Sequence, residues 1–437
     1  MKEQSSIPTS KVERAGEFLK TGVKIGGNYI KHYARNLVNP EAGKAQLHED
    51  NATDIYESLA GLKGSALKVA QMMSMDRTVL PRAYQQRFQM SQYSAPPLSL
   101  PLVVRTFQRT LGKSPYDIFD SFSEKALHAA SIGQVHEAYK DGHRLAVKVQ
   151  YPGVADSIAS DLKMVKPFAV RLMGLNEADV NRYMGEVEGK LMEETDYKLE
   201  LRRGRQIAEA CAEIDGLLFP TYYEAYSSDR ILTMDWMEGQ HLPEFLATNP
   251  SQEVRNRAGQ LLWDFYELQI HGRRELHADP HPGNFLFRPD GRVGVIDFGC
   301  VKEIPDSFYT PYFGLINQRN LQDAETTDRI FRQLEFVYDF DSAQEVKFYS
   351  ELFSKMIALL GRPFYEGRFD FGNDAYFDEI YAFGEQLANM KELKESKVAR
   401  GSKDSLYINR TYYGLYSILN QLRADVNTES VSQTITV

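Results

Sequence analysis

The chain has 437 residues, 43% of them apolar and 25% charged, an ordinary globular mix that excludes wholesale disorder or a fibrous repeat and exceeds one usual domain. A formal net charge of −9 argues against nucleic acid as the main partner, because a footprint on phosphates needs a basic surface. Only Cys211 and Cys300 occur, in no metal-ligand spacing, so neither a disulfide scaffold nor a zinc site is indicated and a reducing, cytoplasmic compartment is expected.

Met1 is followed by polar residues, and no run approaches the roughly 18 apolar residues of a membrane span, which predicts no signal peptide and no transmembrane segment. Between Val12 and Leu37, apolar residues recur every third or fourth position while Lys20, Lys24, Lys31 and Arg35 crowd the other side, the pattern of an amphipathic helix. Its basic face either attaches peripherally to an anionic membrane surface or merely solvates a helix packed on the body. Further helical stretches follow at about 53–75 and after Pro81. The proline-rich run 93–101 reads as a linker, since adjacent prolines cannot continue a helix.

Two strand-like pieces, 129–140 and 143–150, flank Asp141-Gly142 and predict a hairpin. Helical patterning then dominates from about Asp156 to Glu213, and a strand is expected at 231–236. The helix predicted over 251–271 is the best periodic segment, with Val254, Ala258, Leu261, Leu262, Phe265 and Leu268 on one face. After it come the run HADPHPGNFLF at 277–287, a turn at Pro289-Asp290-Gly291, and an apolar strand at 293–297. From about Pro305 to Arg423 helices recur with no strand signal, and the polar end of the chain reads as loose.

Phosphoryl transfer from ATP asks for positioned charge: a lysine for the early phosphates, two magnesium ligands and an aspartate near the incoming hydroxyl. Lys148 ends a Leu-Ala-Val-Lys strand. Asp279 precedes Asn284 by five residues, as in a kinase catalytic loop, and Asp297 opens Asp297-Phe298-Gly299 at a strand end. Singly, Lys148 reads equally as a solvated strand lysine, Asn284 as a turn former and Asp297 as a hairpin-end residue. Their joint order and context favour the chemical reading. His136, His277 and His281 suggest no metal site; His277 is expected to orient the catalytic loop.

The motifs AASIGQVHEA, LAVKVQYPG, EETDYKLE, HADPHPGNF and VIDFG together resemble the AarF/UbiB atypical kinase family, over about Leu62 to Gly299. The resemblance implies an α+β, protein-kinase-like two-lobed fold with an N-terminal helical extension. The extension would occupy 1–95, the small lobe with its helical insert 96–239, the helical C-lobe 240–425 and a flexible tail 426–437. It implies that Ala129, Ala130 and Ser131 form an alanine-rich loop over the nucleotide, and that Lys148 pairs with Glu200 and the phosphates. Asp279 takes the catalytic position, Asn284 and Asp297 hold Mg2+, and Glu238 and Gly239 lie at the hinge beside adenine. Lys68 and Gln71 stand for the family's K-x-G-Q signature, with alanine at the glycine, and the lysine would meet Glu194 and Asp196. His128 departs from the first alanine of the loop. The function implied is an ATP-dependent, magnesium-dependent atypical kinase or ATPase supporting isoprenoid-quinone or related lipid metabolism, with a prenyl-quinone-like lipid as partner. Transfer to a small molecule or specific protein, or nucleotide binding without turnover, are the alternatives.

Overall fold

The computed structural model describes residues 24, 50, 51, 53, 54, 98–129, 132–167, 177–396, 398, 400–430 and 435. They form a mixed α+β fold, mostly helical. The chain divides into two compact units, Met1–Arg205 with Pro220–Trp236, and Gln206–Phe219 with Met237–Val437.

In chain order the elements are α1 (Leu100–Leu111), α2 (Pro115–Ile118), β1 (Ser121–Phe122), β2 (His128–Ala129), β3 (Gly133–Lys140), β4 (His143–Gln150), α3 (Val154–Pro167), α4 (Glu177–Glu194), α5 (Tyr197–Ala210), β5 (Leu217–Leu218) and β6 (Ile231–Asp235). Then follow α6 (Leu242–Ala247), α7 (Gln252–Glu267), a π-helical turn (Leu268–Arg273), β7 (Glu275–His277), β8 (Phe285–Phe287), β9 (Val293–Val295) and β10 (Val301–Glu303). The remainder is α8 (Asp306–Gly314), α9 (Gln318–Gln322), α10 (Ala324–Gln333), α11 (Ala343–Leu360), α12 (Arg362–Tyr365), β11 (Arg368–Asp370), α13 (Asp374–Asn389), α14 (Lys391–Glu395), α15 (Lys403–Leu422) and β12 (Asp425–Asn427).

The first unit is built on an antiparallel sheet in the order β1-β3-β4-β6, with β2 also paired to β3. Asp141 (φ 51°) and Gly142 (φ 80°) both adopt the left-handed conformation that a two-residue hairpin turn demands, which locks β3 against β4. The strand period of two puts Leu145, Val147 and Val149 on one face of β4 and Ala146, Lys148 and Gln150 on the other. The sequence reads strands directly after the proline-rich run, whereas the chain forms helix α1 there. Pro101 sits in its first turn, where a missing N–H costs nothing, and Val103 and Phe107 bury their side chains, Phe107 meeting Phe119 and Phe122 edge-on.

Two residues of the AASIGQVHEA motif do structural duty. The Leu98 N–H donates to Gln134 Oε1 (2.7 Å), Gln134 Nε2 donates to His136 Nε2 (2.8 Å), and His136 Nδ1 donates to the Ser123 carbonyl (2.8 Å). The carbonyl only accepts, so the buried imidazole is the neutral Nδ1–H tautomer. Burial holds the His136 pKa below its usual 6.5, against a smaller opposing effect of the Ser123 carbonyl. With the folded pKa depressed, the unfolded chain takes the proton first; the stability from this network is present above about pH 6.5 and falls as pH drops, by up to about 1.4 kcal/mol per unit. Melting temperatures between pH 7.5 and 5.5 should fall more steeply in the wild type than in His136→Gln; parallel slopes would show that the network does not sense protons.

In the second unit, α7 buries Ala258, Gly259, Leu261, Leu262, Trp263, Phe265 and Tyr266. The Trp263 ring packs among Phe364, Phe371 and Tyr416. A Cβ on Gly259 would stand 2.5 Å from Ala424 Cβ, which explains a glycine within this helix. The sequence shows no strand after Pro305 and reads 426–437 as loose, yet β11 and β12 pair antiparallel with Phe369 opposite Val426, and Val426 and Thr428 are buried. The start and middle of α7 hold this segment: Gln252 Nε2 donates to the Arg423 carbonyl just after α15, and Gln260 Nε2 to the Asn427 carbonyl of β12.

Among the described residues no helix is long and apolar enough to cross a membrane. Lys20, Lys31, Arg35, Lys68 and Gln71 lie outside the described residues. Lys24 is helical and exposed, with Nζ 3.6 Å from the Asp54 carboxylate.

Candidate active site

In the first unit, β4 and α5 bring Lys148 and Glu200 together. Lys148 Nζ donates to Glu200 Oε1 at 2.9 Å and Oε2 at 3.0 Å, with the two residues 7% and 1% exposed. Local sequence explains the precision. The Asp196 carboxylate accepts from the Leu199 N–H (3.0 Å) and so caps the helix that carries Glu200. Gln150, on the same face of β4 as Lys148, donates through Nε2 to the Thr195 carbonyl (2.8 Å) and ties the capping turn to the strand. The Lys148 ammonium lies 5.1 Å from the centre of the buried Tyr197 ring. Opposite, Gly133 leaves room: a Cβ there would stand 2.6 Å from Tyr197 Oη and 2.7 Å from the Val149 carbonyl. The result is a cation held at a fixed point by a buried carboxylate, suited to an anionic oxygen such as a phosphate.

Ala129 ends β2, opposite Gln134. Ala130 and Ser131 lie outside the described residues. His128 is exposed, its ring 6.0 Å from that of Trp236. Glu194 is buried and Asp196 has the capping role above; the lysine expected to meet them is not among the described residues.

In the second unit, one loop system gathers Asp279, Asn284 and Asp297. β8 and β9 form an antiparallel pair with Phe285 opposite Val295, and the Ile296 N–H donates to the Asn284 carbonyl (3.1 Å), which sets Asn284 beside the turn that Asp297 opens. Asn284 Nδ2 donates to the Asp279 carbonyl (2.9 Å), and that carbonyl also accepts from the His281 N–H (2.7 Å). Asp297 Oδ1 accepts from the Gly299 N–H at 3.0 Å. β7 and β10 pair with His277 opposite Val301, and the Ala278 N–H reaches the Cys300 carbonyl.

His277 is fully buried and joins these loops. Its Nε2 donates to the Asp297 carbonyl (2.6 Å) and its backbone N–H to Gln269 Oε1 (3.0 Å). That leaves Nδ1 to accept from the Tyr266 hydroxyl at 3.4 Å. Burial, with the nearby Asp279 charge adding, pushes the Tyr266 hydroxyl well above its usual range, so it stays a donor. His281 Nδ1 accepts from the Gly283 N–H (2.8 Å) and shapes the loop locally. Among the described residues no group of three or more His, Cys, Asp or Glu is placed to hold a metal ion by itself.

A magnesium ion shared with phosphate asks less of the protein. The Asn284 amide, oriented by its nitrogen, offers its oxygen, and Asp297 offers a carboxylate; both are hard donors of the type magnesium takes alongside waters and phosphates. The residues present therefore fit the ion.

Asp279 has a partner that the sequence did not suggest. Arg410 of α15 donates from Nη2 to Asp279 Oδ1 at 3.2 Å, and both residues are buried. Glu238 and Gly239 run beside β8: the Glu238 carbonyl accepts from Arg288 Nε (3.3 Å), and Gln240 and Phe287 exchange backbone hydrogen bonds. Gly239 has φ 150°, and a Cβ there would stand 2.8 Å from Leu286 Cβ, so glycine is needed for this approach.

A family model described as the ABC1 atypical kinase-like domain matches residues 90–330, which contain all of the motifs just placed. The chain belongs to the ABC1 (AarF) atypical kinase-like family. Among ABC1 relatives, it is 27% identical to atypical kinase COQ8B of Rattus norvegicus, over 84% of this chain and 71% of that one. It is 25% identical to atypical kinase COQ8 of Saccharomyces cerevisiae, over 97% and 84% of the respective chains. A solved structure of Rv3197 from Mycobacterium tuberculosis, in complex with erythromycin, is 25% identical and superposes with a TM-score of 0.59, covering 91% of this chain and 98% of that one. Arg410 lies beyond the stretch the ABC1 model matches.

Proposed function

We propose that this ABC1-family chain is a magnesium-dependent, ATP-binding atypical kinase or ATPase. In this reading 96–239 is the nucleotide-binding lobe and 240–425 the catalytic lobe of a protein-kinase-like fold, preceded by a helical extension over 1–95. The buried Lys148–Glu200 pair supports it most, because a lysine held by both oxygens of one carboxylate is what phosphate positioning requires. Lys148 would hold the early phosphates, with Ala129, Ala130 and Ser131 over them and Glu238 and Gly239 beside adenine. Asn284 and Asp297 would hold magnesium, which supplies neutralisation of the charge developing on the transferred phosphoryl group. Asp279 would orient the incoming hydroxyl and accept its proton as ADP departs. Relatives named as COQ8 kinases support a role in isoprenoid-quinone or related lipid metabolism. Phosphoryl transfer to a small molecule is the second reading, supported by the relative solved with erythromycin.

ATP turnover by the full chain, read as free phosphate against labelled product, with and without anionic liposomes and phenol-like headgroup mimics, separates hydrolysis from transfer. Asp279→Asn should leave Mg-ATP binding intact and slow turnover by about 10²- to 10⁴-fold, the usual contribution of a positioned base. Equal loss of binding and turnover would mean that Asp279 does not have this role.

A further inference from the structure

We infer that Arg410 is a positioning residue for Asp279 and that α15 sets the orientation of the catalytic carboxylate. The inference rests on the assignment of Asp279 above.

The main chain at Asp279 is already fixed, since its carbonyl accepts from both Asn284 Nδ2 and the His281 N–H. What these bonds leave open is rotation of the Asp279 side chain. Arg410 Nη2 meets Oδ1 at 3.2 Å, with side-chain exposures of 6% for the arginine and 8% for the aspartate. At that burial the pair is not a solvated surface contact; each charge would be costly without a partner, so the carboxylate is held where the guanidinium stands. One turn further along α15, Gly414 brings the helix against the next residue of the loop. A Cβ there would stand 2.3 Å from Pro280 Cγ and 3.0 Å from the Pro280 carbonyl. Arg410 and Gly414, four residues apart on one helical face, therefore grip Asp279 and Pro280 together. A lysine could supply the charge but not the planar fork that fixes direction.

The test uses the full chain and Mg-ATP, with any acceptor found in the turnover assay. Arg410→Met should lower kcat by about 10- to 100-fold, the range found when an outer-shell residue that orients a metal-site ligand is lost, with KM for ATP unchanged. Arg410→Lys should recover part of the loss. In an Asp279→Asn background, adding Arg410→Met should cost nothing further, because the two residues act as one unit. Residual turnover in that background is followed with γ-labelled ATP. If Arg410→Met does not fold, Arg410→Lys and the double variant carry the test, since the double variant leaves no unpaired buried charge. An Arg410→Met loss that recurs in full on Asp279→Asn, or that raises KM and leaves kcat alone, would make Arg410 structural and overturn the inference. An inactive Asp279→Asn beside fully active Arg410 variants would overturn it while leaving the assignment of Asp279 standing. Full activity in Asp279→Asn itself would overturn the assignment.

Discussion

Lys148→Met is expected to abolish nucleotide binding and to lower the melting temperature, two losses with separable causes. The substitution keeps the stem that packs in β4 and removes the ammonium, leaving Glu200, 1% exposed, as a buried carboxylate without its cation. Breaking one side of a buried pair costs about 3–5 kcal/mol, whereas replacing both partners with apolar groups is often neutral. The double variant Lys148→Met/Glu200→Leu should therefore regain most of the lost melting temperature and still bind no ATP. Recovery of binding in the double variant would show that Lys148 serves the fold alone. Failure of the double variant to regain stability would show that the pair also positions α5, a role consistent with the Asp196 cap and the Gln150 tether on the same helix start.

Asp297→Asn should remove the magnesium-dependent part of nucleotide stabilisation with little change to the free protein. The His277 bond goes to the backbone carbonyl of residue 297, and the Gly299 N–H can donate to an amide oxygen as it does to Oδ1, so the local geometry survives. The negative charge is lost, and one acceptor oxygen becomes an NH2 donor. At a ligand concentration about 100 times its dissociation constant, binding stabilises a folded protein by about 2.7 kcal/mol. Thermal melts with ATP, with and without magnesium, should show a shift of that order in the wild type and none attributable to the ion in Asp297→Asn. An undiminished magnesium-dependent shift would remove Asp297 from the metal site.

The parts of this molecule that sequence reveals are those with local causes. The β3–β4 hairpin is legible because Asp141-Gly142 is among the few pairs that accept positive φ twice. Lys148, Asn284 and Asp297 are legible because each stands at a strand or turn whose apolar run is visible. Glu200 follows from the family resemblance and not from periodicity, and its carboxylate meets Lys148 Nζ. Other features depend on distant chain. Arg410 is 131 positions from Asp279, on a helix that carries none of the motifs read in the sequence. β11 and β12 are three residues each, too short for alternation to register, and β12 is held by side chains of the distant helix α7. Helix α1 was hidden by Pro101, which signals a break in a linear reading yet is well suited to a first turn. Gln134 and His136 carry no role in the linear reading, and they anchor the sheet to Leu98 and Ser123, contacts made across the fold.

The π-helical turn Leu268–Arg273 makes chain length part of the site. Gln269 is buried within it, donating to the Phe265 carbonyl and accepting from the His277 N–H, and His277 in turn holds the Asp297 carbonyl. Each residue of an α-helix turns the chain by about 100°, so the widened turn accommodates one residue more than a regular helix would. Here, then, the information lies in the number of residues as much as in their kind. Exchanges at the exposed positions of 268–273 leave the count intact, whereas an insertion or deletion of one would swing β7 and its histidine away from Gln269. In aligning related chains, a gap placed within this turn would mark a different construction of the Asp-Phe-Gly loop even where every motif residue is present.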